Sequence, residues 1–221
     1  RPTFDAEVNI IGTLNLLEAL RNIGGVRVIF PSSAAVYPMQ AGLPTREDVV
    51  SVPESPYGIS KRAVEMYLEY FSNLYPLACV SLRLSNVYGP RQCTEGAGAI
   101  TLFIKSLLNS KQVTVNGSGE QTRDFVYVDD VVDAMMLAMK VDWCGEINIA
   151  TGKETTVNAL YSTLQKVTGI TTEANRSDAK EGELFRSVLD TDLASHILGW
   201  RAKTSLEEGL TKTVLWFRDN H

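Results

Sequence analysis

The chain has 221 residues, 44% of them apolar, with a formal net charge of -5; that is ample material for a buried core. The charge argues against an electrostatic nucleic-acid footprint, which needs clustered Lys and Arg, and no apolar run reaches the roughly 18 residues of a membrane-spanning helix. Three scattered cysteines (Cys79, Cys93, Cys144) and two histidines, His196 and His221, suggest neither a disulfide framework nor a zinc site.

No basic-then-apolar leader opens the chain, so a cytoplasmic location is expected. Residue 1 is Arg rather than Met. From this the chain is expected to begin inside a longer protein.

From Phe4 to Asn22 the apolar positions Val8, Ile11, Leu14, Leu17, Ala19 and Leu20 recur at helical spacing, and Gly24-Gly25 ends the pattern. Val26 to Phe30 reads as a buried parallel strand that delivers Pro31-Ser32-Ser33 at its carboxyl end, where ligands bind in open α/β sheets. A proline-rich polar loop follows, then a helix from Tyr57 to Leu74 and a second strand from Leu77 to Leu84. This alternation predicts an α/β fold with right-handed crossovers.

Beyond Asn86 the spacing predicts a helix near Ile100 to Asn109, then short strands around an Asn116-Gly117-Ser118-Gly119 turn. A helix is expected from about Asp130 to Met139, a strand from Glu146 to Ala150, and a helix from Val157 to Val167 capped by Thr155 or Thr156. Leu206 to Asp219 reads as the last helix. No linker separates two parts, so they are expected to interleave. No glycine-rich dinucleotide loop of the GxGxxG type occurs anywhere, so the first half of a nucleotide-binding sheet is not in this chain.

Tyr57 and Lys61 stand four residues apart, on one helical face. A tyrosine is a poor base at its ordinary pKa near 10, and a lysine beside it favours phenolate. Ser33, at the end of the neighbouring strand, can hydrogen-bond the same substrate oxygen and share its proton. Such a triad suits removal of a hydroxyl proton while hydride leaves the same carbon. In isolation the Tyr-x-x-x-Lys spacing has a bland explanation, a solvated helix face.

The surrounding residues resemble the extended short-chain dehydrogenase/reductase family, in its nucleotide-sugar epimerase and dehydratase branch. The likeness runs in order through Asn9-Ile10-Ile11-Gly12-Thr13, Ser32-Ser33-Ala34-Ala35-Val36-Tyr37, Ser55-Pro56-Tyr57-Gly58-Ile59-Ser60-Lys61, Leu82 to Arg91, Gln121 to Asp130, and Leu198-Gly199-Trp200. It implies the C-terminal part of a doubly wound, Rossmann-type parallel sheet, spanning residues 1–86 and about 113–150. A smaller mixed α/β lobe for the nucleotide sugar would take about 87–112 and 151–221.

By the same resemblance Tyr57 is the catalytic base, Lys61 lowers its pKa and holds the nicotinamide ribose, and Ser33 completes the proton path. Asn9 is a further cofactor contact, Ser32 another, and Ser32 and Tyr37 stand near the nicotinamide or the sugar. Asn86 and Arg123 contact the substrate diphosphate, which a guanidinium fork suits; a salt bridge from Arg123 to Asp124 or Asp129 is the structural alternative. Lys180 and Glu183 stand where the family grasps the nucleotide, and Ser187 stands where a bulky residue would narrow the sugar pocket.

Family dehydratases place Asp and Glu directly after the catalytic hydroxyl, and decarboxylases a glutamate at the second of those positions; here both are alanine, Ala34 and Ala35. The resemblance therefore implies C4 epimerisation of a UDP-hexose or UDP-N-acetylhexosamine with NAD through a 4-keto intermediate, by a homodimer. NAD against NADP is not fixed by this segment. A non-catalytic binding module and a 4-keto nucleotide-sugar reductase are the rival expectations.

Overall fold

The computed structural model describes residues 1–93, 98–179, 182 and 184–220. In chain order the elements are α1 (Pro2–Asp5), a π-helical segment (Ala6–Ile11), α2 (Gly12–Leu20), β1 (Val26–Ser33), a 3-10 turn (Ala34–Val36), α3 (Pro56–Leu74), β2 (Leu77–Leu84) and β3 (Asn86–Tyr88). There follow α4 (Ala99–Leu108), β4 (Thr114–Asn116), β5 (Thr122–Arg123), β6 (Phe125–Tyr127), α5 (Val128–Ala138) and β7 (Gly145–Ile149). The last are β8 (Thr155–Thr156), α6 (Val157–Thr168), β9 (Asn175–Ser177), α7 (Asp192–Leu198) and α8 (Leu206–Asn220).

The chain divides into two compact units: residues 1–85, 132–150 and 189–201, and residues 86–131, 151–188 and 202–221. The first unit is an α/β layer structure on a parallel sheet of order β1-β2-β7. Leu17 of α2 and Val64, Leu68 and Phe71 of α3 pack on Phe30, Leu77 and Cys79 of the sheet. Each such side chain stabilises by about 1.5–3 kcal/mol on burial, so the amphipathic periodicity of α3 is what binds it to the strands. Ser55 caps α3 by accepting from Gly58 N at 3.0 Å, and Pro56 follows at the first helical position.

Among the described residues the second unit holds three short strand pairs, β3-β6 and β4-β9 parallel and β5-β8 antiparallel. Its core joins α4, α6 and α8 through Ile104, Leu107, Leu160, Leu164, Leu210 and Phe217. Thr156 caps α6, accepting from Ala159 N at 3.0 Å, and Gly169 closes that helix in the left-handed region at φ 71°. Among the described residues no helix is long and apolar enough to cross a membrane.

Four details differ from the sequence expectations. The first helix carries a π segment at Ala6–Ile11 and ends at Leu20, two residues early. β1 runs three residues further than its apolar stretch, because Pro31, Ser32 and Ser33 continue the ladder opposite Leu82, Arg83 and Leu84. Gly117 and Gly119 do turn the chain with positive φ, but β4 and β5 on either side pair with β9 and β8 rather than with each other. Residues 113–131 accordingly fall in the second unit, and 189–201, with the unforeseen α7, fall in the first.

Candidate active site

The first unit brings Ser33, Tyr57 and Lys61 together at the carboxyl end of β1. Ser33 terminates the strand in extended conformation and its Oγ accepts from Ala35 N at 3.2 Å, which starts the 3-10 turn. Gly58, next to Tyr57, lets α3 approach that turn: a Cβ there would run into the Ala35 carbonyl oxygen. A glycine beside the tyrosine is therefore required by contact with the backbone that carries Ser33.

The Tyr57 side chain remains 43% exposed. Burial of its inner part raises its pKa above the ordinary tyrosine value, a hydrogen bond with the Ser33 side chain pulls it back, and the charge of Asp5 raises it again. Lys61 is buried, and burial lowers its pKa. Its Nζ donates to Pro31 O at 2.8 Å and lies 4.6 Å from the Phe30 ring centre and 5.7 Å from that of Tyr57. Sequence reasoning gives Lys61 the leading influence on the phenol. Here the ammonium is directed to the strand carbonyl, and burial and Ser33 lead instead.

Asn9 lies in the π segment, and its amide donates to Ser60 Oγ at 2.9 Å; that hydroxyl donates to Tyr57 O at 2.8 Å. A π turn often marks a functional position, and this one ties the first helix to the helix bearing Tyr57. Ser32 is 2% exposed and its Oγ donates to Glu65 Oε1 at 2.6 Å. Glu65, Arg83 and Asn148, which the sequence reading did not single out, form a buried network with Tyr37, whose hydroxyl is held by Arg83 and Asn148. Glu65 had one legible signal, being four residues beyond Lys61 on the face of Tyr57.

The remaining expected residues lie in the second unit. Asn86 is exposed at the start of β3, and its N donates to Asp124 O at 2.9 Å. Arg123 is half-buried on β5, with Nη1 donating to Thr122 O at 2.7 Å. Asp124 is fully buried, its carboxylate accepting from Thr151 N and Oγ and Gly152 N at 2.6–2.9 Å. Ser187 is half-buried and outside any strand. Lys180 and Glu183 lie outside the described residues.

A parallel α/β sheet here presents serine, tyrosine and lysine at one strand end, the end at which ligands bind in open α/β folds. The profile of the NAD dependent epimerase/dehydratase family matches residues 1–150, and the chain belongs to that family. A putative UDP-glucose 4-epimerase from Methanocaldococcus jannaschii is 41% identical over 223 residues, covering all of this chain and 72% of that protein. The crystal structure of a UDP-glucose 4-epimerase with UDP-glucose from Thermotoga maritima superposes with a TM-score of 0.96 at 43% identity, over all of this chain and 72% of that one. A UDP-N-acetylglucosamine 4-epimerase from Methanobrevibacter ruminantium, in complex with UDP-N-acetylmuramic acid, gives 0.96 at 34% identity with the same coverage.

Proposed function

We propose that this chain carries the acid-base half of an NAD-dependent nucleotide-sugar 4-epimerase, acting on UDP-glucose and UDP-galactose or their N-acetylhexosamine forms. The observation that carries the reading is Ser33, Tyr57 and Lys61 meeting at one strand end with no carboxylate at positions 34 and 35. Elimination of water needs a second acid-base pair beside the sugar; epimerisation needs one base that gives its proton back.

Tyr57 takes the proton of the C4 hydroxyl, and Ser33 bridges the same oxygen and steadies the phenolate. Bound NAD would supply reversible hydride chemistry at C4. Tyr57 then gives the proton back to the 4-keto oxygen after the sugar presents its opposite face, so protons and electrons balance over the cycle. The residues fit such a cofactor: the Lys61 ammonium has three donors, of which Pro31 O takes one, and it sits at the carboxyl end of a parallel strand, where nucleotides bind.

Asn86 and Arg123 are proposed for the substrate diphosphate, and Ser187 for room beside an N-acetyl group. A homodimer in the cytoplasm is proposed, with the exposed Val8, Ile11, Leu16, Met66, Tyr70 and Leu74 of the π segment, α2 and α3 as the contact face. Sedimentation at micromolar concentration tests that face, and a monomer overturns it. For the activity, the full-length protein supplied with NAD should interconvert UDP-glucose and UDP-galactose or the N-acetyl pair. No interconversion of either pair would overturn the reading.

A further inference from the structure

Three turns of α3 meet three consecutive residues of β1. Lys61 donates to Pro31 O and Glu65 accepts from Ser32 Oγ, while the Ser33 side chain acts on Tyr57 by lowering its pKa. The middle tie is the most deeply buried, since the Glu65 side chain has no solvent exposure. Arg83 is the ladder partner of Ser32 on β2, and its guanidinium grips both oxygens of the same carboxylate, Nε to Oε1 at 3.0 Å and Nη2 to Oε2 at 2.9 Å. Arg62 adds a third contact to Oε2 at 3.0 Å.

The layer continues across the sheet. Asn148 is the partner of Arg83 on β7, and Tyr37 joins the two by accepting from Arg83 Nη1 at 3.0 Å and donating to Asn148 Oδ1 at 2.8 Å. Tyr37 directly follows the 3-10 turn begun by Ser33. The chain on both sides of Ser33 is thus fastened to one buried polar row, Ser32 before it and Tyr37 after it. A fork of two guanidinium bonds fixes direction as well as distance, so Glu65 cannot swing to follow a displaced strand. This row is more than the sheet needs to hold α3, which the apolar contacts of Val64, Leu68 and Phe71 already bind.

We propose that Glu65 is a positioning residue for the Ser33–Tyr57 proton-transfer pair, acting through the Ser32 hydroxyl. The proposal rests on the reading of Tyr57 as the base. Besides the Ser33 hydroxyl, the charged groups facing the phenol among the described residues are Asp5 and Lys61, and neither contacts Ser32 or Glu65 through any bond described above.

The test uses Ser32→Ala, which removes one hydroxyl and leaves the Glu65–Arg83 pair in place, with Ser32→Thr restoring a hydroxyl. The deciding readout is the pH titration of the Tyr57 ring, followed as the 13Cζ resonance assigned by its loss in Tyr57→Phe, at pH values where thermal melts show folded protein. Because the Ser33 bond lowers the phenol's pKa, Ser32→Ala should move the titration to higher pH, and Ser32→Thr should bring it back. With UDP-glucose and NAD, kcat should fall about 10-fold with KM within twofold, and the limb of the rate profile should shift in the same direction. A Tyr57 titration unchanged in Ser32→Ala overturns the proposal even if the melting temperature falls, and so does a threonine variant displaced as far as the alanine. Absence of epimerase activity in the unsubstituted protein would defeat the proposed function alone, since the ring titration is read without substrate.

Discussion

The two units bury charge in different ways: the second holds the buried Asp124 carboxylate on N–H and hydroxyl donors of Thr151 and Gly152. In the first, the carboxylate of Glu65 is neutralised inside the protein by guanidinium groups, next to the strand end that carries Ser33. In the second, the core of α4, α6 and α8 is apolar and aromatic, with edge-to-face pairs such as Phe103–Tyr161 and Tyr88–Tyr127. Its ion pairs Lys166–Glu207, Arg186–Glu154 and Lys212–Glu208 lie in solvent. An apolar core packs well but transmits little direction, whereas a hydrogen-bonded ion pair fixes orientation at the expense of desolvation. The lesson is that orientation is built where proton transfer is proposed.

The largest effect that would break this contrast is Arg83→Met, which strands the Glu65 carboxylate with Arg62 as its remaining cation. It should cost about 3–5 kcal/mol in denaturant unfolding. The double variant Glu65→Leu with Arg83→Met should cost less than Arg83→Met alone, because no charge is left unpaired. Leu160→Ala in the second unit should cost about 2–5 kcal/mol by cavity formation and cannot be rescued by any charge partner.

Next come two glycines. A Cβ at Gly58 meets the Ala35 carbonyl, and one at Gly209 meets the rings of Tyr88 and Tyr127. Each alanine substitution should cost about 1–3 kcal/mol by overpacking, yet only Gly58→Ala should abolish turnover, since it moves the Ser33 turn away from Tyr57. The helix caps make a finer comparison. Ser55→Ala and Thr156→Ala should each cost about 0.5–2 kcal/mol, and only Ser55→Ala should also lower kcat, because Tyr57 is two residues further along its helix.

The smallest effect is in acid. Arg186 and Thr122 hold the Glu154 carboxyl down at about 2, below the ordinary glutamate range. A depressed carboxylate stabilises above its unfolded pKa of about 4.3 and loses that contribution as pH falls toward its folded value. The stability difference between the protein and Glu154→Gln should therefore be constant from pH 5 to 7 and shrink between about pH 4 and pH 2. It should also weaken with salt, as an exposed pair does.

Much of the frame was legible in sequence because periodicity and caps are local. The 3.6-residue pattern of α3, the apolar run of β2 and the Thr156 cap all rest on near neighbours. Ser33, Tyr57 and Lys61 were legible because a strand end and an i, i+4 spacing place them. The direction of Lys61 toward Pro31 O was not, since a lysine's four rotatable bonds leave its target open. Nor were the partners of β4 and β5, because long-range pairing with β9 and β8 leaves no mark on the short strands themselves. Arg83 read as one more strand residue; only the register opposite Ser32 and Asn148 shows what it holds.

The central claim is that the first unit supplies the base for C4 epimerisation. It is tested most directly by comparing the protein with Tyr57→Phe in a steady-state assay of UDP-glucose to UDP-galactose conversion with NAD, after thermal melts establish that both are folded. The account predicts a loss of kcat of about 100-fold or more with little change in KM. Turnover by Tyr57→Phe equal to that of the unsubstituted protein would contradict it.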